Sequence, residues 1–135
     1  MPELSGKCLC GNIEYSADTE IKLMANCHCS DCRAATGAAY STLVFIDKDA
    51  LQVTGTPGVF HHKADSGADM EKHFCPNCGS QMFGSNSNRP NMVSIRVGGL
   101  DQTSLVKPAV NVYLDSKIES TPVDPELKGF AKMPG

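Results

Sequence analysis

Seven cysteines gathered into three short clusters constrain this chain more than any other feature. "GKCLCGN" carries Cys8 and Cys10, "NCHCSDCR" carries Cys27, Cys29 and Cys32, and "FCPNCGS" carries Cys75 and Cys78. Any fold must bring these thiols to partners, and an odd number cannot be used up in disulfides. The opening "MPELSGK" lacks the apolar run of a secretory signal, so the expected location is cytoplasmic, where thiols stay reduced. In that setting clustered cysteines read as metal ligands or reactive thiols.

"FCPNCGS" is the strongest of the three as a metal signal. Its two thiols are three residues apart, with Pro76 and Gly79 shaping a tight turn that aims both sulfurs at one ion. A redox pair of the same spacing expects a βαβ setting, which the sequence does not show. Cys75 and Cys78 need two more ligands, from Cys8 and Cys10 or from the triplet. Either way seven thiolates divide into a closed group of four and an open group of three. The natural division keeps the triplet whole, because one local turn can deliver all three sulfurs. A histidine could still complete the second site, and His28, His61, His62 and His73 are the candidates.

The remaining sequence reads as β structure. Short runs at 12–17, 21–27, 38–46, 51–55, 58–63, 92–97 and 109–114 are rich in β-branched and aromatic residues and bounded by Gly, Pro, Asn and Asp. One short helix is expected over Ser30–Thr36, with Ser30 as N-cap and Gly37 ending it. Further helical turns are expected near Asp47 or Asp101. At 135 residues the chain reads as one domain spanning 1–135, with a core over about 4–125 and a polar tail over about 116–135 that wraps the surface or frays. No apolar stretch approaches the roughly 20 residues that span a bilayer. The net charge of −3, more negative still with cysteines as thiolates, argues against a nucleic-acid footprint.

An open three-thiolate zinc has a definite chemical bias. Zinc sites that generate hydroxide commonly use imidazoles, which leave the ion electron-poor. Three thiolates donate charge and suit it to holding an incoming thiol as a nucleophilic thiolate. The predicted substrate is therefore a thiol.

"GKCLCGNIEY", "CHCSDCRAATG" and "FCPNCGSQMF", in this order, resemble the glutathione-dependent formaldehyde-activating enzyme family, which also contains the centromere protein V domain. The resemblance runs from about residue 4 to about residue 125. It implies a mainly β, zinc-containing β-tent (Mss4-like) fold of small antiparallel sheets with very little helix. It also implies a structural zinc on Cys8, Cys10, Cys75 and Cys78, and a second zinc on Cys27, Cys29 and Cys32 at the glutathione site. The implied activity is that of a carbon–sulfur lyase, joining glutathione to formaldehyde as S-hydroxymethylglutathione or cleaving the adduct. Glutathione carries carboxylates, so cations are expected beside the triplet: Arg33 as the glutathione contact, with Lys63, Arg89 and Arg96 available from elsewhere. The chain departs from the pattern at Asn111, Val112 and Tyr113, where many relatives carry His and Trp. The expected partners are a small thiol and an aldehyde or other electrophile, with no nucleic acid or membrane and with homodimerisation open at sheet edges. The competing reading is a non-catalytic zinc module that binds a protein partner, and the fourth ligand at the triplet separates the two.

Overall fold

Alternation of buried and exposed residues builds the strands and decides how they stack. The computed structural model describes residues 2–134; Met1 and Gly135, the ends of the expected domain span, lie outside the described residues. The elements run β1 (Glu3–Lys7), β2 (Glu14–Asp18), β3 (Leu23–Cys27), α1 (Ser30–Thr36), β4 (Ser41–Asp47), β5 (Gln52–Thr54) and β6 (Gly58–Lys63). They continue with β7 (Asp69–Phe74), β8 (Gln81–Asn86), β9 (Met92–Arg96), β10 (Val110–Val112) and β11 (Lys128–Gly129). The architecture is mainly β, with one α-helix among the described residues and short 3-10 turns, including Lys48–Ala50 and Thr103–Leu105.

Two sheets form. The smaller has the order β1-β2-β5, and the larger β11-β10-β3-β4-β9-β8-β7-β6. Pairing is antiparallel except at β10, which lies parallel to both β3 and β11. In β3 and β4 the period of two assigns faces: Met24, Val44 and Ile46 join Leu4, Ile13, Tyr15 and Phe83 in the main core between the sheets. Ala25, Cys27 and Leu43 point to the opposite face, where Cys32 and Val112 complete a second cluster. The large sheet is thus buried on both sides around β3 and β4, and the second side carries the triplet.

Strands β1, β7, β8 and β11 are absent from the sequence expectation. "ELSGK", "DMEKHF" and "QMFGSN" carry few β-branched residues and gain their strand conformation from pairing, β7 and β8 with neighbours on either side and β1 with β2 alone. The C-terminal segment returns to the sheet as β11, with Phe130 N–H donating to Asn111 O at 2.9 Å and Tyr113 N–H to Lys132 O at 3.2 Å.

Close packing of the small sheet rests on Gly6. It sits opposite Tyr15, and a Cβ there would collide with Tyr15 Oη and with Gly99 O. Gly6→Ala is therefore expected to destabilise by about 1–3 kcal/mol, read as a lower urea midpoint with an unchanged slope.

Candidate functional site

Three cysteine turns, each built from local hydrogen bonds, present the thiols. Cys8 Sγ accepts the Ile13 N–H at 3.3 Å, and Gly11, at φ 83°, turns the chain between them. Cys75 Sγ accepts the Cys78 N–H at 3.5 Å, and Gly79, at φ 80°, donates back to Cys75 O at 2.8 Å. Cys29, not Ser30, is the N-cap of α1: its Sγ accepts the Cys32 N–H at 3.3 Å, and Gly37, at φ 74°, closes the helix. Sulfur takes the capping role because the backbone is already extended at Cys29, one residue before the expected position.

The sulfurs of Cys8, Cys10, Cys75 and Cys78 lie within 4.8 Å of one another and could hold a metal ion. Cys8–Cys10 is 3.6 Å and Cys10–Cys75 is 3.7 Å. A tetrahedral ion with thiolates at about 2.3 Å sets its ligands about 3.8 Å apart, so the group fits. Hydrogen bonds from Ser80 hold the Cys78 thiol down at about 5. Cys75 is pushed up to about 11, because burial and the neighbouring thiols outweigh the Cys78 N–H that favours its thiolate.

Cys27, Cys29 and Cys32 form the second group that could hold a metal, again with donors within 4.8 Å. Cys27 donates to Cys29 at 3.4 Å. Cys32 is pulled down to about 2, first by hydrogen bonds from Cys27 and Cys29 and then, against burial, by the Arg96 guanidinium, whose Nη1 lies 3.9 Å from its sulfur. Cys27 is pushed far up by the thiols of Cys29 and Cys32 and by burial. Three thiolates this close repel one another, and a divalent ion is what would let all three ionise together. His28 does not join the group. Its ring is buried, with Nε2 3.3 Å from Asn111 Oδ1 and one face toward Tyr40.

The triplet lines a cavity of about 120 Å³ whose wall also includes Val112, Tyr113 and, from the C-terminal segment, Met133. Val112 and Tyr113 thus face the cavity, while Asn111 lies against His28. Tyr113 adopts φ 57° and ψ 41°, the left-handed region, which marks a backbone held in place by its surroundings.

The expected cations are dispersed. Arg89 lines the cavity and Arg96 touches Cys32, whereas Arg33, on α1, is not part of the cavity wall and its buried Nε has no hydrogen-bond partner among the described residues. Lys63 pairs with Asp69 at 2.6 Å on an exposed edge. Sequence reasoning missed two cations in the wall, Lys72 and Lys132. Neither lies near the cysteine motifs in the chain, although the alternation along β7 could have placed Lys72 on the face of Met70.

Comparison with known proteins gives the family. The family profile described as glutathione-dependent formaldehyde-activating enzyme matches residues 3–116. The chain belongs to the glutathione-dependent formaldehyde-activating enzyme family. All seven cysteines fall inside the matched residues, while Lys132 and Met133 of the cavity wall fall beyond them. Among relatives within reach of this family, a protein of Schizosaccharomyces pombe named an uncharacterized lyase is 27% identical over 118 residues, covering 87% of this chain and 79% of that protein. A Halomonas elongata protein named "Putative glutathione-dependent formaldehyde-activating enzyme" is 28% identical, covering 82% of this chain and 73% of its own length. A Phaeosphaeria nodorum protein of the same name is 31% identical over 77 residues, and the chain spans only 40% of its length. A crystal structure of a Rhodobacter sphaeroides protein shares the fold, with a TM-score of 0.55 and 20% identity over 77% of this chain and 96% of that one. No helix among the described residues is long and apolar enough to cross a membrane.

Proposed function

We propose that this protein is a zinc-dependent carbon–sulfur lyase-type enzyme that joins glutathione or a similar thiol to formaldehyde or a related electrophile, or cleaves the adduct. The observation that carries this reading is the open triplet: three thiol donors within 4.8 Å of one another, joined at that distance by no fourth Cys, His, Asp or Glu donor among the described residues, lining a cavity. Zinc held there would supply a soft Lewis-acidic position for a thiol in its nucleophilic form. Cys27, Cys29 and Cys32 would hold that ion, and Cys8, Cys10, Cys75 and Cys78 a second, structural one. Val112, Tyr113 and Met133 give the cavity an apolar stretch of wall beside the triplet. Arg96 places positive charge beside Cys32 and tempers the accumulated charge of three thiolates.

The test is ligand-dependent stability followed by turnover. Zinc-loaded protein is expected to gain roughly 4 °C in Tm for each tenfold excess of glutathione over its Kd. It is also expected to consume formaldehyde faster than the glutathione-only reaction. A Tm indifferent to millimolar glutathione, with zinc present at both groups, would exclude the thiol-binding reading and favour the non-catalytic module.

A further inference from the structure

One cross-strand row of the large sheet runs Phe45, Ser94, Gly84, Lys72 and Phe60, each paired with the next through β4, β9, β8, β7 and β6. Directly opposed residues share a face, so this row stands on the side that carries the cavity. Gly84 contributes no side chain at its centre, and a Cβ there would lie 2.9 Å from Ser94 Oγ. Lys72 leaves this row toward β6, where its ammonium meets His62.

Lys72 is only 7% exposed. Its ammonium has one hydrogen-bond partner among the described residues, His62 Nε2 at 2.8 Å, and forms no ion pair there. An ammonium can only donate, so Nε2 is the acceptor and Nδ1 carries the ring proton. That nitrogen lies 3.3 Å from Lys63 O and 4.0 Å from Asp31 Oδ2. Asp31 belongs to α1, between Cys29 and Cys32, so His62 stands between the lysine and the element that presents the triplet.

A buried ammonium held by a neutral imidazole is costly unless an anion completes it, and two of its three protons remain to be donated. The other cations of the wall are already engaged: Lys132 with Asp115 at 2.9 Å, and Arg89 over the Phe45 ring. We propose that Lys72 binds a carboxylate of the thiol substrate while the substrate sulfur sits at the triplet, with His62 as a positioning residue. This rests on the thiol reading above. Two strand spacings, about 10 Å, separate β7 from β9, whose Arg96 reaches Cys32. A glutathione carboxylate, several bonds from its sulfur, suits that separation, whereas formaldehyde and simple thiols have nothing to offer the ammonium.

Three probes on zinc-loaded wild type, Lys72→Met and Lys72→Arg test this: glutathione, S-methylglutathione and 2-mercaptoethanol, each titrated calorimetrically. Lys72→Met is expected to weaken glutathione and S-methylglutathione about 10- to 100-fold, the scale of one charged hydrogen bond, and to leave 2-mercaptoethanol within about twofold. Lys72→Arg, which keeps the cation, should recover most of the loss. Equal weakening of all three probes, or a lower Tm of unliganded Lys72→Met with unchanged glutathione affinity, would make Lys72 a structural residue and overturn the proposal. Unaltered glutathione binding in Lys72→Met overturns it as well, and leaves the thiol site standing. Loss of S-methylglutathione binding in Lys72→Met, in a protein that never responds to 2-mercaptoethanol, supports the carboxylate contact while overturning the thiol site.

Discussion

Cys75→Ser is expected to lack a cooperative thermal transition and to bind about one equivalent of zinc fewer per chain. Cys75 is fully buried within the main core, and its sulfur lies 3.7 Å from that of Cys10. Through this group the turn after β1 is fastened to the turn between β7 and β8, segments 65 residues apart in the chain. Structural zinc contributes about 10–16 kcal/mol of binding free energy that is also folding free energy. A domain of ordinary stability has only about 5–15 kcal/mol in total, and serine oxygen is a poor replacement for a thiolate on a soft ion. Zinc content by plasma emission and melting by circular dichroism check the result. Cooperative melting within a few degrees of wild type would remove the four-cysteine group from its structural role.

Cys29→Ser should do the opposite: keep the fold and lose the chemistry. Cys29 is half-buried and is the N-cap of α1, where its sulfur accepts the Cys32 N–H. Serine is among the preferred N-cap residues, so the helix start survives the exchange and the expected loss of stability is no more than about 1–2 kcal/mol. The metal group, however, falls from three thiols to two. Activity with glutathione and formaldehyde is expected to drop at least about a hundredfold, and the glutathione-dependent rise in Tm to vanish. Collapse of Cys29→Ser to the same extent as Cys75→Ser would identify the triplet as a second structural centre.

The contrast between these variants reflects what can be read locally. Cys27, Cys29 and Cys32 lie within six residues, and Cys75 and Cys78 within four, so backbone turns alone deliver their sulfurs to common points. Strands β3 and β10 were legible because their apolar and β-branched content agrees with their final burial, and β6 was legible from Val59 and Phe60 although both side chains are exposed. Strands β7 and β8 were not, since they are half-exposed and owe their extension to neighbours on either side. The cap of α1 was displaced by one residue because a cysteine sulfur, rather than the serine hydroxyl, takes the orphan N–H.

By itself, the amino-acid sequence determined the division of seven thiols into four and three, the predominance of β structure and the softness of any metal the thiols hold. These follow from residue type and short spacing, which no tertiary arrangement alters. Only the tertiary structure decided that His28 turns away to Asn111, that Met133 returns from the C-terminal segment to the cavity, and that Lys72 is buried on the same face as the triplet. Those placements depend on strand register and on β10 running parallel to β3, pairings between distant segments that leave no local trace in the chain.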